Sequence, residues 1–219
     1  VIRLAIFDCD GTLVDSQASI CAAMDDCFAA AGLPPPNPER TRRAVGLSLP
    51  QVMARLLPDE APARHLLLAE AYKASFQRMR AARDVEEPLY DGIPELLDAL
   101  DADGWLLGVA TGKSDRGLRL CLERHGLAGR FVTLQTADRH PSKPHPAMIL
   151  AALAESGADA ELCMMIGDTS YDMAMAKAAG VAAVGAGWGY HAPRELAAAG
   201  AHCIAHRPLD ILDLVKAPA

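Results

Sequence analysis

VIRLAIFDCDGTLVDS, residues 1–16, runs an apolar segment from Ile2 to Phe7, broken only by Arg3, straight into Asp8, Asp10 and Asp15. The segment reads as a buried strand. Burying even one carboxylate at a strand end is costly, so a strand that delivers two must meet something that compensates them. In extended chain, residues i and i+2 project to the same side, which puts Asp8 and Asp10 on one face.

Working outward, further strand patterns occur at Leu106–Ala110, Phe131–Leu134, Cys163–Ile166, Ala182–Val184 and His202–Ala205. Helical patterns lie between them. IPELLDALDADG places Ile93, Leu96, Leu97 and Leu100 on one face, and SDRGLRLCLERHG opens with a Ser114/Asp115 cap and closes at Gly126. PAMILAALAESG and YDMAMAKAAG follow the same design. Repeated strand–helix–strand units imply parallel pairing through right-handed crossovers. The expected fold is therefore α/β, a doubly wound, Rossmann-like parallel sheet.

One block breaks the alternation. Residues 16–88 carry only helical patterns, SQASICAAMDDCFAAAG, LPQVMARLL and APARHLLLAEAYKASFQRMRAARD, with the Pro-rich turn LPPPNPE between the first two. The block is too long for a loop. Two units are expected: a core of 1–15 with 89–219, and a helical unit of 16–88 above the sheet, hinged near Leu13–Ser16 and Glu86–Gly92. Ligands in such sheets bind beyond the carboxyl ends of the strands, where this insertion would cover them.

Composition narrows the partners. The net charge is −7 and no Lys/Arg run stands out, which argues against nucleic acid. No apolar stretch is long enough to span a membrane and no secretory leader pattern is present, so a cytoplasmic protein is expected. The six cysteines lack CxxC spacing and read as small buried hydrophobes in a reducing compartment. Cys9 lies between two carboxylates, which would raise its pKa and suppress a nucleophilic thiolate.

The carboxyl ends of the strands gather polar groups. Asp8 and Asp10 follow the first strand, Thr111 and Gly112 the second, Lys143 lies in HPSKPHP after the third, and Asp168 and Asp172 follow the fourth. Any one of these could be an ordinary cap or turn residue. Together they suit phosphoryl transfer. A hard cation held by Asp8, Asp168 and a backbone carbonyl, with oxygen ligands that suit Mg²⁺, would let a phosphate approach. Lys143 adds positive charge, and Thr111 Oγ1 with the Gly112 amide can bind phosphate oxygens. One aspartate of the pair can attack phosphorus while the other protonates the leaving oxygen and then activates water. Spacing alone does not order the two.

DCDGTLVDS, ATGKS, KPHP and GDTSYDM, in this order, closely resemble the four motifs of the haloacid dehalogenase-like hydrolase superfamily. The likeness covers essentially the whole chain, the insertion resembling that family's helical cap. It implies Asp8 as nucleophile, Asp10 as acid/base and as a metal ligand through its backbone carbonyl, Asp168 as a metal ligand, and Asp172 as support for the metal site. Asp10 argues against dehalogenation. The implied activity is Mg²⁺-dependent hydrolysis of a small phosphomonoester through an aspartyl-phosphate. A phosphomutase of the β-phosphoglucomutase type is the enzyme alternative, from which Thr12 points away, and a phosphate-binding protein without turnover is the non-enzyme alternative. Chain length, FDCDGTLVDS and VGAGWGYHAPREL resemble the phosphoglycolate phosphatase-like members, whose partners are small phosphorylated metabolites; Trp188, Gly189 and Tyr190 would line the rim or pack on the core.

Specificity is expected from the insertion. ERTRRAVGLSLPQV offers Arg42 or Arg43 to a substrate carboxylate, on a loop made flexible by Gly46. Lys73, the only lysine of the insertion, reads as a solvated residue of an amphipathic helix. His140 and His145 read as loop histidines near the phosphate site rather than as metal ligands.

Overall fold

The computed structural model describes residues 1–216. Six parallel strands form one sheet: β1 (Arg3–Phe7), β2 (Trp105–Thr111), β3 (Thr133–Thr136), β4 (Cys163–Gly167), β5 (Ala182–Ala186) and β6 (Cys203–Ala205), in the order β3-β2-β1-β4-β5-β6. The order reverses beside β1: β2 and β3 extend one way, β4 to β6 the other. In doubly wound sheets this reversal opens a crevice at the carboxyl ends of the strands. Here the crevice falls between β1 and β4, which deliver Asp8 and Asp168.

Alternation along the strands builds a core on each face of the sheet. Ala5 and Phe7 of β1 join Met164 and Ile166 of β4 on one face, covered by α5 (Ile93–Ala102), α6 (Asp115–Arg124) and α10 (Ile211–Lys216). Leu4 and Ile6 join Cys163 and Met165 on the other, under α7 (Ala147–Ser156), α8 (Ser170–Ala179) and α9 (Pro193–Ala198). Burial on both faces explains why β1 and β4 read as continuous apolar runs rather than alternating ones.

β3 departs from expectation. The apolar run Phe131–Leu134 suggests the strand, yet pairing with β2 runs from Gly108↔Thr133 to Thr111↔Thr136. Phe131 instead packs into the core below the sheet, and Val132 is exposed. The polar residues Thr133 and Gln135 are tolerated in a buried strand because both donate to Glu155 Oε2, at 2.6 and 2.8 Å.

Between β1 and α5 lie four helices, α1 (Gln17–Ala30), α2 (Pro38–Ala44), α3 (Leu49–Leu56) and α4 (Pro62–Ala81), packed around a separate cluster that includes Met24, Phe28, Met53 and Leu68. The short α2 is not among the expected helices. Its signal is Asn37, whose side chain accepts from the Glu39 and Arg40 amides, followed by Pro38 at the first helical position. The segments entering and leaving this region are hydrogen-bonded to each other, Asp15 N to Pro88 O and Tyr90 N to Leu13 O. Among the described residues, no helix is long and apolar enough to cross a membrane.

Candidate active site

Asp8 leaves β1 at the crevice with its carboxylate fully buried. Its Oδ1 accepts from the Cys9 amide at 2.6 Å, and its Oδ2 lies 2.8 Å from Lys143 Nζ. The same ammonium lies 2.7 Å from Asp172 Oδ1. Asp168, at the end of β4, accepts from Thr12 Oγ1 and from the Tyr190 amide, each at 2.9 Å. Asp172 is the third residue of α8 and closes a capping box with Thr169.

Backbone shape makes this density of acid possible. A Cβ on Gly11, where φ is +85°, would fall 2.2 Å from Asp168 Oδ2, and one on Gly189 would fall 2.2 Å from Asp168 Cβ. Trp188 donates its indole N–H to the Thr12 carbonyl, holding the Trp188–Tyr190 loop against the strand end. The expectation for this loop thus resolves as packing around Asp168.

The charges do not balance. Asp8, Asp168 and Asp172 offer oxygens that all lie within 4.8 Å of one another, against the single Lys143. Burial, only partly offset by Lys143, pushes the Asp8 carboxyl up to about 7, with Asp172 adding to the effect. Burial, then Asp8 and Asp172, push Asp168 in the same direction. Burial opposes the Lys143 charge, but Asp172 and Asp8 outweigh it and hold the ammonium above its ordinary range. Lys143 is the one cation within ion-pair reach of Asp8 Oδ2 and Asp172 Oδ1 among the described residues, and it is shared between them. Clustered carboxylate oxygens short of positive charge fit a hard divalent cation.

Asp10 behaves differently. Its carboxylate stands outside this cluster and accepts at Oδ1 from Ser16 Oγ (2.5 Å) and Lys113 Nζ (2.6 Å). The bridge between Asp10 and Val14 uses the Cys9 carbonyl and the Gly11 amide, which leaves the Asp10 carbonyl unengaged among the described backbone bonds. Lys113 is held in turn by buried Glu87, at 2.9 Å, and Glu87 by Arg80 of α4, at 2.6 Å. Burial opposes the Lys113 charge, but Asp10 and Glu87 are among the groups that outweigh it, and the ammonium is held well above its usual range. Sequence reasoning missed Ser16, Glu87 and Lys113 as site residues. Lys113 had a signal, directly after Thr111-Gly112 at a strand end; Glu87 had none.

Thr111 Oγ1 accepts from the Lys113 amide at 3.2 Å, leaving its own proton free to donate. A Cβ on Gly112 would lie 2.6 Å from the Gly46 carbonyl oxygen and 2.7 Å from that of Leu47. The Gly46 loop therefore docks on the core backbone to backbone, helped by Ser48 N donating to Ser142 Oγ at 2.8 Å.

One expectation needs correction. Arg42 pairs with Glu39 on its own helix, and Arg43 reaches Glu195 of α9; neither lines the cavity beside Asp10, whereas Gly46 does. Arg43 meets the core through its carbonyl, which accepts from Tyr171 Oη at 3.0 Å. Lys73 keeps a third of its side chain exposed and also lines that cavity, with Glu70 at 2.9 Å and Asp138 at 3.8 Å. The histidines serve locally, His140 bonding Gln135 and His145 accepting from the Ala147 amide. Cys9 lies 4.0 Å from Cys121, and that contact together with burial pushes its thiol up, so it stays protonated.

Comparison with known proteins agrees with this arrangement. Residues 5–186 match the family model described as "Haloacid dehalogenase-like hydrolase". A Dickeya dadantii protein named "Probable phosphatase IndB" is 37% identical over 202 residues, 90% of this chain and 86% of that protein. A phosphoglycolate phosphatase of Chromobacterium violaceum is 32% identical over 218 residues, 98% of this chain and 97% of that protein. The crystal structure of a hydrolase from Pseudomonas syringae superposes with a TM-score of 0.85 at 27% identity, covering 98% of both chains. The chain belongs to the haloacid dehalogenase-like hydrolases, as a phosphoric monoester hydrolase similar to their phosphoglycolate phosphatases.

Proposed function

We propose that the protein hydrolyses a small phosphomonoester in a Mg²⁺-dependent reaction through a phosphoryl group carried on Asp8, with residues 16–88 as the cap over the site. The observation that carries this reading is the buried Asp8–Lys143–Asp172–Asp168 cluster, with Asp10 held separately at its edge by Lys113 and Ser16. Asp8, Asp168 and the Asp10 carbonyl would hold the cation, with Asp172 in support. Bound there, Mg²⁺ would neutralise the carboxylates that otherwise repel a phosphate.

An Asp8 carboxylate oxygen attacks phosphorus in line while the bond from phosphorus to the alcohol oxygen breaks. Asp10, in its protonated form, gives its proton to that oxygen, and the alcohol departs. Asp10, now a carboxylate, takes a proton from water as the water oxygen attacks the same phosphorus; the bond to Asp8 breaks and inorganic phosphate leaves. Lys143, the Thr111 hydroxyl and the Gly112 amide hold the phosphoryl oxygens throughout. Lys113 and Ser16 bind one oxygen of Asp10 and fix which way the other points.

The relatives' names make phosphoglycolate the first ester to assay, beside sugar phosphates. The test is phosphate release with and without Mg²⁺, next to Asp8→Asn. Metal-dependent release abolished by the substitution is expected; release that survives Asp8→Asn refutes the covalent route.

A further inference from the structure

A cavity of about 420 Å³ lies between α1–α4 and the β2–α6 turn. Asp10, Gly112 and Lys113 line one end, while Asp8, Lys143 and Asp168 do not line it. Because Asp10 is the residue that protonates the departing alcohol in the reaction above, the alcohol portion of the substrate belongs on this side.

The walls do not suit a short acid. Ile20, Met24, Val45, Leu47 and Val52 present buried apolar side chains. Tyr72 and Phe76 add two rings with centroids 5.9 Å apart, inclined at 43°. Cavities of roughly 300–1,000 Å³ take whole drug-sized ligands, so a two-carbon hydroxy acid would leave most of this one unfilled.

The carboxylate of a departing hydroxy acid would be met best by an uncommitted buried cation, and the cations nearest Asp10 are engaged. Arg80 holds Glu87, Lys113 holds Asp10 and Glu87, and Lys73 sits between Glu70 and Asp138. Arg116 also lines the cavity but is exposed, so water already solvates its charge. One polar group stands ready within the apolar wall: Thr41 Oγ1 is buried, lines the cavity and has no hydrogen-bond partner among the described residues. A buried hydroxyl in that state is completed by a ligand that brings its own polar atom.

We propose that the preferred substrate is the phosphate ester of a largely apolar, ring-bearing alcohol with a polar group placed to meet Thr41, rather than a short phosphorylated acid. The ring would pack against Phe76 and Tyr72, and the ester oxygen would face Asp10. This rests on the hydrolase reading, and the experiment separates the two.

Initial rates with Mg²⁺ are measured for 2-phenylethyl phosphate, phosphoglycolate and glucose 6-phosphate. Acetyl phosphate, small and already activated, reports on Asp8 chemistry independently of the cavity. We expect kcat/KM for 2-phenylethyl phosphate to exceed that for phosphoglycolate at least about tenfold. Phe76→Ala, or Leu49→Gln at a half-buried position of the wall, should shrink that ratio, and Arg43→Ala, outside the cavity, should keep it. Acetyl phosphate hydrolysis with phosphoglycolate equal or preferred would overturn the proposal and leave the hydrolase reading standing. No hydrolysis of any compound, acetyl phosphate included, would overturn both.

Discussion

Replacing Glu87 with glutamine keeps the shape of a fully buried side chain but removes the charge that holds Lys113 at 2.9 Å and Arg80 at 2.6 Å. Removing one partner from a buried ion pair costs roughly 3–5 kcal/mol when the other is left uncompensated. Here neither cation is wholly abandoned. Lys113 keeps Asp10, and the Arg80 side chain, 19% exposed, can turn to water. The expected loss is therefore about 2 kcal/mol, in the range of about 1.5–3 kcal/mol for a hydrogen bond to a charged group. Urea unfolding of wild type, Glu87→Gln, Lys113→Met and the double variant measures it. Lys113→Met alone should cost more, because it leaves Asp10 and Glu87 with one fewer cation between them. The double variant should be less destabilised than the sum of the singles by ~1–2 kcal/mol, as expected of residues sharing one network. Because Lys113 also fixes Asp10, Glu87→Gln should lower kcat several-fold with little change in KM. Additivity within about 0.5 kcal/mol would show that Glu87 and Lys113 do not act as a unit, and an unchanged kcat would show that the network does not reach Asp10.

Other outcomes follow from single contacts. Gly112→Ala places a methyl 2.6 Å from the Gly46 carbonyl oxygen, so the docked loop must retreat at a cost of about 1–3 kcal/mol, read as a raised KM. Thr41→Val removes a buried, partnerless hydroxyl and should raise unfolding stability of the ligand-free protein by about 1 kcal/mol; a loss of that size would mean that the hydroxyl is satisfied. Arg43→Ala breaks a largely exposed pair with Glu195 and should move stability by no more than ~1 kcal/mol, with KM unchanged. In EDTA-treated protein the Asp8 carboxyl, raised from 3.8 to about 7, binds a proton in the folded state that the unfolded chain has released. Its contribution to stability is complete below about pH 4 and is lost as pH rises towards 7. Mg²⁺ requires the ionised form, so the rise in Tm on adding Mg²⁺ should grow over that window, and a gain that shrinks with pH would contradict the assignment.

What the sequence revealed follows from where the physics is local. Strands buried on both faces advertise themselves as apolar runs, and carboxylates at their ends stand out because little else explains them. Asp8, Asp168 and Asp172 are legible for that reason and meet in one cluster around Lys143. β3 was misplaced because its own residues are polar and their acceptor, Glu155, comes from a different element. Glu87 was invisible because its role depends on Lys113, which only the closed fold brings within reach. Arg42 and Arg43 misled by being the right residue type beside the right loop; their side chains found Glu39 and Glu195, and the loop touches the core through its backbone.

The hydrogen bonds joining Asp15 to Pro88 and Leu13 to Tyr90 mean that the chain departs from the sheet and returns to it at nearly the same point. The covalent connection to everything between is a two-ply stem. Such a stem couples the two crossings, since bending either ply alone would break the bonds to its neighbour. It also isolates the two parts genetically: residues between the plies can lengthen, shorten or be exchanged without shifting β1 or α5. The sheet can therefore keep its geometry while the helical unit changes.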